Sequence, residues 1–409
     1  MRSSTGRASA WAHIFKCSGV SITWPSPSRF IFLSTWQTRT DTRGVSCRPA
    51  CPGFRTSHVR AVEPFESGGN RMKAAVYKGN QRFEIEEIPT PTAGPDQVVV
   101  KVHFCAVCGT DVHAFLYDIA PPGTVLGHEF AGDVVEVGSA VTKWKVGDRV
   151  IGGGGDPPAG QESSTRTHPR YNYRKMGFPE GSIRGYAEFV LMEEWQPILI
   201  PDGISDEEAA MCEPTAVAIH AVRNSDLKLG DSVGILGAGP IGLLTLQAAK
   251  AAGASAVYVS EPAPERGRVA LELGADAVIN PLEQDLQTEI DALTEGRGPN
   301  IVFDCAGFPS TLDQAFNIVR HTGQVVLVAV PWEELPLRPV DWMAREISFK
   351  ASWGSLPGDW HRAIGLMASG KLSVKPLIGD VESIPLEGMQ EAFEGLTKPS
   401  NQLQVVVRP

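Results

Sequence analysis

Cysteine is scarce in this sequence, with seven residues among 409. Four of them follow residue 71 and are spread over residues 105–305: Cys105, Cys108, Cys212 and Cys305. Such spacing excludes a disulfide framework and favours a reducing compartment. We therefore expect a cytoplasmic protein.

An excess of positive charge is also missing, because the formal net charge is −10 at pH 7. This balance excludes nucleic acid and anionic membrane surfaces as main partners. Residues 232–249, SVGILGAGPIGLLTLQAA, form a charge-free run. Its four glycines, one proline and one glutamine argue against a membrane span. We interpret the run as a buried strand followed by a helix.

Acidic residues are nearly absent from residues 1–71, which hold ten of the 37 Lys and Arg residues but three of the 47 acidic ones. The segment shows no helical or strand periodicity, so we expect it to lie outside the fold. Three interpretations remain open. The first is a start codon placed too early, with translation properly beginning at Met72. The second is an organellar transit peptide, which shares this Arg- and Ser-rich composition. The third is a disordered arm.

From Met72 the chain reads mainly as β-strands. KAAVYK, RFEIEEIP and QVVVKVHFCAVC are separated by turn residues, and FAGDVVEVG continues the pattern. Residues 152–184 form a long polar lobe rich in Gly and Pro, of a kind that is usually functional or mobile. SDEEAAMCEPTAVAIHAVRN then predicts a helix with Ser205 as its N-cap.

From Asp231 an apolar strand, a glycine-rich turn and an apolar helix recur. Short buried-type strands such as SVGILG, AVYVSEP, IVFDCAG and QVVLVAV alternate with helical stretches. This alternation predicts a parallel sheet covered on both faces, and hence an α/β fold class. After about residue 340 the chain returns to mixed character.

The GAGPIG turn predicts a dinucleotide site, because it lies between a predicted strand and a predicted helix. Gly237 allows the tight turn, Gly239 lets the backbone approach a pyrophosphate, and Gly242 allows close helix–strand packing. Pro240 and Ile241 lie at the start of the helix, whose free N–H groups can bind phosphates.

Glu261 lies 24 residues after Gly237, where an acid can hydrogen-bond a ribose 2′-hydroxyl. A carboxylate at this position repels a 2′-phosphate, so NAD is favoured over NADP. Arg266, five residues later, weakens this preference only slightly.

Residues 106–130, AVCGTDVHAFLYDIAPPGTVLGHEF, bring a thiol, a hydroxyl, two imidazoles and carboxylates close together in sequence. Thiolate, imidazole and carboxylate are suitable Zn²⁺ donors, and a catalytic zinc keeps three protein ligands and one open position. Cys108 and His128 would provide two of the ligands.

Four motifs occur in order along the chain at the expected separations: Cys108, the GHE of residues 127–129, the Glu213–Pro214 pair and the GAGPIG turn. In these features the chain resembles the zinc-dependent alcohol dehydrogenases of the medium-chain dehydrogenase/reductase family. It is most similar to the polyol branch, which includes sorbitol and butanediol dehydrogenases. The resemblance extends from Met72 to the C-terminus.

This resemblance implies the domain organisation and the assembly of the protein. A GroES-like β-rich catalytic domain is expected over residues 72–215, completed by residues 345–409. A Rossmann dinucleotide-binding domain is expected over residues 216–344. A homodimer or a homotetramer is expected as well.

The resemblance also implies the zinc ligands. Cys108 and His128 match two of them, and Glu213 matches the third, either directly or through water. Glu129 matches a carboxylate that can serve as an alternative ligand. Cys212, beside Glu213, would compete only poorly, because neighbouring helical side chains point about 100° apart.

Three further residues match catalytic positions of the family. Asp111 matches the acid that orients the zinc histidine. Thr110 matches the hydroxyl that contacts the substrate oxygen, and His113 the far end of a proton relay.

One departure from the family concerns metal content. Many relatives bind a second, structural zinc through four cysteines in the lobe, but residues 151–184 contain none. We therefore expect one catalytic zinc and no structural zinc, with the lobe held by packing of Tyr171, Tyr173 and Phe178.

The implied activity is hydride transfer between NAD and a CH–OH group of a secondary alcohol, diol, sugar alcohol or cyclitol, with zinc as Lewis acid. Two alternatives stay open. One is a zinc-free quinone or enoyl reductase of the same superfamily, and the other is an NAD-binding sensor or structural protein without turnover.

Overall fold

The computed structural model describes residues 71–158, 181–334, 338–379, 383–398 and 401–409. The first described strand starts at Arg71, one residue before the predicted start of the domain at Met72. The rest of the basic N-terminal segment, and Tyr171, Tyr173 and Phe178 of the lobe, lie outside the described residues.

Sixteen strands are found in the described part of the chain. In chain order they are β1 (Arg71–Tyr77), β2 (Phe83–Pro89), β3 (Gln97–Ala106), β4 (Thr124–Val125), β5 (Glu129–Val137), β6 (Arg149–Ile151), β7 (Phe189–Glu193), β8 (Ile198–Leu199), β9 (Ser232–Leu236), β10 (Ala256–Ser260), β11 (Ala277–Ile279), β12 (Ile301–Asp304), β13 (Gln324–Leu327), β14 (Ser348–Ala351), β15 (Ile384–Pro385) and β16 (Val406–Arg408).

The helices of the same residues connect or cover these strands. They are α1 (Gly109–Leu116), α2 (Asp206–Ala210), α3 (Cys212–Asn224), α4 (Pro240–Ala251), α5 (Pro264–Glu272), α6 (Leu286–Thr294), α7 (Pro309–Ile318), α8 (Pro339–Arg345), α9 (Pro357–Ala368), α10 (Lys375–Ile378) and α11 (Met389–Leu396). None of them is long and apolar enough to cross a bilayer.

The first half of the chain forms a β-rich unit. A seven-stranded sheet has the order β15-β16-β3-β5-β6-β8, with β7 also paired to β3, and a three-stranded sheet has the order β2-β1-β4. The C-terminal strand β16 pairs with β3, where Val406 lies opposite Ala106. Residues from both ends of the chain therefore build this half.

The second half contains a six-stranded parallel sheet of order β11-β10-β9-β12-β13-β14. This is the doubly wound dinucleotide-binding order, so the predicted α/β fold class is confirmed. The strand order reverses between β9 and β12, and ligands bind at the carboxyl ends of strands at such a point. The charge-free run forms β9 and α4, as expected.

The predicted end of the dinucleotide-binding domain at residue 344 was too early. Strand β14 (Ser348–Ala351) pairs in parallel with β13 and is the sixth strand of the sheet. The sequence signal was weak here, because an edge strand is less buried than the central strands and carries polar residues such as Ser348 and Lys350.

The single helix predicted after Ser205 is two helices, α2 and α3, which meet at Met211. Ser205 is the N-cap, as predicted, and it forms a capping box with Glu208. The break has a local cause: Pro214 has no N–H to donate to the carbonyl of Ala210, and its ring would clash there. A new helix therefore begins just before Glu213 and places this carboxylate in its first turn, where the helix dipole favours negative charge.

Helix α3 is fixed to α9 by a buried carboxylate. Asp359 is fully buried and accepts hydrogen bonds from His220 Nδ1 at 2.8 Å, from Arg223 and from the backbone N–H of Leu356 at 2.9 Å. Because α3 also carries Glu213, this contact helps to hold the functional cavity in place.

We expect Asp359→Ala to lower the free energy of unfolding by about 2–3 kcal/mol, because His220 and Arg223 lose a buried hydrogen-bond acceptor. Urea unfolding followed by circular dichroism measures the change. Arg268→Ala is the control, since it removes only exposed ion pairs with Glu265 and Glu272 and should leave the free energy of unfolding nearly unchanged. Equal losses in the two variants would contradict the role of Asp359.

Candidate active site

A cavity of about 510 Å³ lies where the carboxyl edge of the parallel sheet faces the β-rich half. The sheet contributes the residues that follow β9, β12, β13 and β14. The other half contributes both ends of the segment 106–130, together with Arg184 and Glu213. The two predicted sites, metal and dinucleotide, therefore share one cavity.

The structure brings together the predicted metal ligands from two elements. Cys108 is the N-cap of α1, and His128 and Glu129 lie at the start of β5. The ligand atoms of these three residues all lie within 4.8 Å of one another. Glu213 lines the same cavity, whereas the Cys212 sulfur is buried against the carbonyl of Trp360 at 3.7 Å.

The electrostatics of this cluster favour a cation. Burial and the neighbouring Glu213 carboxylate raise the pKa of Glu129 to about 8, and burial raises the pKa of the Cys108 thiol to about 11. One buried Glu129 oxygen, Oε2, has no hydrogen-bond partner among the described residues. A divalent ion would pair this oxygen and offset the burial of the thiolate and carboxylate, so the donor set fits Zn²⁺.

Asp111 supports His128 from the protein interior. The Asp111 side chain is fully buried, lies 3.4 Å from His128 Nδ1 and accepts a hydrogen bond from the Tyr186 hydroxyl at 2.9 Å. Burial opposes a charge on His128, but Asp111 and Cys108 together raise the pKa of His128 well above its usual value. Tyr186 was not predicted, because it lies 75 residues from Asp111 and belongs to no motif.

The position of His128 depends on the preceding glycine. Gly127 has φ +92°, and a Cβ atom there would lie 2.8 Å from the Cys105 sulfur and 2.9 Å from the Tyr186 backbone nitrogen. Glycine is therefore required for the chain to turn into β5 with the His128 ring facing the cavity.

Thr110 and His113 both line the cavity from α1. The Nδ1 atom of His113 is buried and has no hydrogen-bond partner in the described structure. Burial lowers the pKa of His113 to about 4, so the ring is neutral near pH 7. Its ring packs edge-on against Trp332, a residue that the sequence analysis did not select, with 5.2 Å between centroids.

The glycine-rich turn has the geometry that the motif predicts. Gly237 has φ +92°, and its N–H donates to the carbonyl of Ser260 at 2.9 Å. A Cβ atom on Gly242 would lie 1.9 Å from the Gly237 carbonyl oxygen, whereas one on Gly239 would meet nothing within 4 Å. Gly239, Pro240 and Ile241 line the cavity at the N-terminus of α4.

Glu261 follows β10 and is buried beside this turn. Its carboxylate accepts hydrogen bonds from the backbone N–H of Ala238 at 2.7 Å and of Ala263 at 2.8 Å. Arg266 donates to the carbonyl of Gln402 at 2.8 Å and is not among the residues that line the cavity, so its contact is with the C-terminal segment.

A second group with metal-ligand spacing lies outside the cavity. Ligand atoms of His103, Asp133 and Asp206 lie within 4.8 Å of one another. The Arg149 guanidinium donates to Asp206 through its Nε at 2.8 Å. This cation already pairs with Asp206, and His103 lies within 3.6 Å of Asp133, so we interpret the group as an ion-pair network.

Two protein-family models match two parts of the chain that line this cavity. Residues 94–202 match the alcohol dehydrogenase GroES-like domain, and residues 240–369 match the zinc-binding dehydrogenase domain. Fold and site together thus define a two-domain, metal- and dinucleotide-binding dehydrogenase.

Relatives with established names cover most of the chain. (R,R)-butanediol dehydrogenase from Bacillus subtilis is 36% identical to this chain, and the match covers 83% of this chain and 100% of the relative. A crystal structure of 2R,3R-butanediol dehydrogenase from B. subtilis superposes with a TM-score of 0.73, and the match covers 83% of this chain and 99% of that one. Sorbitol dehydrogenase from B. subtilis is 34% identical over 83% and 97% of the two chains. A zinc-binding dehydrogenase from Sinorhizobium meliloti, solved with NADP, is 31% identical with a TM-score of 0.73 over 83% and 100%.

The chain therefore belongs to the zinc-dependent alcohol dehydrogenases of the medium-chain dehydrogenase/reductase family, as its motifs predicted. It is an oxidoreductase that uses a nicotinamide cofactor and acts on a small molecule.

The two glycines of the turn should respond differently to alanine. Gly242→Ala should destabilise the protein by about 1–3 kcal/mol, because the methyl group overlaps the Gly237 carbonyl. Gly239→Ala should keep the stability but weaken NADH binding, because its methyl group would occupy the space into which a pyrophosphate fits. Urea unfolding and NADH fluorescence titration measure the two effects. Similar stability losses in both variants would contradict this assignment.

Asp111→Asn should lower zinc affinity about 10–100-fold, because the amide no longer stabilises and orients the His128 ring as an anion does. Competition for zinc with a chelating dye measures the change. Tyr186→Phe is the matched control: it removes one hydrogen bond to Asp111 but keeps the charge, so its effect should be much smaller. Unchanged zinc affinity in Asp111→Asn would show that this carboxylate does not support the ligand.

Proposed function

We propose that the chain oxidises a CH–OH group of a polyol or secondary alcohol to the carbonyl, with one zinc ion and with NAD as hydride acceptor. The observation that carries this proposal is the cavity itself, which is lined by the Cys108, His128 and Glu129 donors and by the glycine turn. The names of the relatives, butanediol and sorbitol dehydrogenases, support diols and sugar alcohols as the substrate class.

Cys108, His128 and Glu213 are proposed to hold the zinc ion, with Glu129 as the alternative carboxylate. Glu129 is nearer to the other two ligands in this arrangement, since its oxygen belongs to the group within 4.8 Å. When bound, zinc supplies Lewis acidity toward the alcohol oxygen, and the nicotinamide supplies the hydride acceptor.

Thr110 and His113 are proposed to remove the hydroxyl proton. The Thr110 hydroxyl would accept the alcohol proton as it passes on its own proton, and His113 would stand at the far end of the proton path. The Nδ1 atom of His113 has no hydrogen-bond partner among the described residues, so it is available to accept a hydrogen bond from a proton donor in the cavity, which supports this role. Asp111 would keep the His128 ring in one orientation during turnover.

Glu261 is proposed to select NAD. It is buried and fixed by two backbone N–H groups next to the phosphate-binding turn, where its charge would repel a 2′-phosphate. Absence of cysteine from residues 151–184 supports the proposal that the protein binds no structural zinc.

A homodimer or homotetramer in the cytoplasm is also proposed. Helix α8 has no buried residue, and it exposes Val340 and Met343 beside the edge strand β14. An apolar surface next to a strand edge that no other described strand pairs with supports association between copies.

The decisive measurement is zinc content together with NAD and NADP reduction over a panel of butane-2,3-diol, sorbitol, myo-inositol and a primary alcohol. We expect about one zinc per chain and NADH formation with a diol or polyol, by the chain that begins at Met72. Cys108→Ser should lose zinc and activity, whereas Cys305→Ser, which changes a cavity cysteine outside the donor group, should keep its zinc.

Other outcomes would replace the proposal. Zinc-free protein that reduces quinones with NADPH would favour the reductase, and NAD binding without turnover would favour the sensor. Preference for NADP would overturn the role of Glu261.

A further inference from the structure

Three aromatic rings meet across the rim of the cavity. Trp332 stacks on Tyr117 with 5.0 Å between centroids and an interplanar angle of 29°. It also packs edge-on against His113 at 5.2 Å and 64°. All three residues line the cavity.

The rings come from opposite sides of the cleft. Trp332 follows strand β13, at the carboxyl edge of the parallel sheet, whereas His113 lies on α1 and Tyr117 is its C-cap. The N-cap of the same helix is Cys108, and Thr110 lies in its first turn. The ring contacts therefore join the helix of the metal side to the sheet of the dinucleotide side.

Core packing does not account for this cluster. Tyr117 is 54% exposed, so the stack lies at the surface of the cleft and contributes little to the hydrophobic core. Two ring nitrogens in it, His113 Nδ1 and Trp332 Nε1, are buried without hydrogen-bond partners in the described residues. Unpaired buried nitrogens are unfavourable for stability alone, which indicates a contact retained for the site rather than for folding.

We propose that Trp332 is a positioning residue for hydride transfer. Its indole ring contacts the rings of Tyr117 and His113, and these contacts set the distance between helix α1 and the carboxyl edge of the sheet. The proposal rests on the dehydrogenase function given above. Helix α1 places Cys108 and Thr110, which would bind at the alcohol side, and the sheet edge places the nicotinamide. Misplacement of the two reactants by about 1 Å can reduce a rate about 100-fold, so a contact that fixes this gap bears directly on kcat.

The test compares Trp332→Ala, Trp332→Phe, Tyr117→Ala and the double variant Trp332→Ala/Tyr117→Ala in the full enzyme. For Trp332→Ala we expect kcat to fall about 10–100-fold, with a larger deuterium isotope effect on kcat and a smaller change in KM. Trp332→Phe should restore most of the rate, because it keeps an aromatic face toward Tyr117. In the double variant, Tyr117→Ala should lower kcat little beyond the loss caused by Trp332→Ala, because the two rings act as one unit.

Hydrogen exchange supplies a readout that does not depend on activity. Backbone amides of Gly109–Leu116 should exchange faster in Trp332→Ala than in the wild type, because the helix loses its contact across the cleft. Trp342→Ala is the matched control: like Trp332, Trp342 lies between β13 and β14, and it stacks on Phe316 at 3.9 Å, but it does not line the cavity. It should leave both the isotope effect and the exchange of α1 unchanged.

Two results would overturn the inference. One is an active wild-type enzyme whose Trp332→Ala variant has the same kcat, the same isotope effect and the same hydrogen exchange of α1. The other is a Trp342→Ala variant with the same effects as Trp332→Ala. A wild type that binds zinc and NADH but oxidises no alcohol would overturn the proposed function and the inference together, so the two failures are distinguishable.

Discussion

The buried carboxylate of Asp111 is the constraint around which the metal side of this protein is organised. A charge without solvent needs partners, and here the His128 ring and the Tyr186 hydroxyl supply them. Asp111 lies in α1, His128 in the turn before β5 and Tyr186 in the segment before β7, so this carboxylate joins three parts of the β-rich half. The ligand group of Cys108, His128 and Glu129 depends on that fixation, because the Asp111 carboxylate lies 3.4 Å from the Nδ1 atom of His128 and so positions its ring.

The parallel sheet contributes in a different way. Its strand order reverses between β9 and β12, and this reversal opens a crevice at the carboxyl ends of the strands. Gly237 turns the chain there, and Gly242 allows α4 to lie directly against the turn. The helix N-terminus then faces the metal side across the cavity. Hydride transfer between an alcohol and a dinucleotide requires the metal side and the dinucleotide side to face each other across the cavity. Neither half of the protein provides both sides.

Local sequence rules explained most elements, and their failures have identifiable causes. The helix after Ser205 divides at Met211 because Pro214 removes a hydrogen bond, which a reading of apolar periodicity alone overlooked. Strand β14 extends the sheet beyond residue 344, but an exposed edge strand lacks the apolar run that reveals a central strand. The partnership of His220 with Asp359 joins residues 139 positions apart and leaves no mark in the sequence.

The sequence by itself determined the donor types, the glycine spacing and the alternation of strands and helices, because these depend on neighbours along the chain. It therefore predicted the α/β fold, the family and the residues of the candidate site. Tertiary structure alone decided which of these residues share a cavity, that Tyr186 is the partner of Asp111, and that Trp332 spans the cleft. The physical reason is that burial, distance and desolvation arise between segments far apart in sequence, and their energies exist only after those segments have packed together.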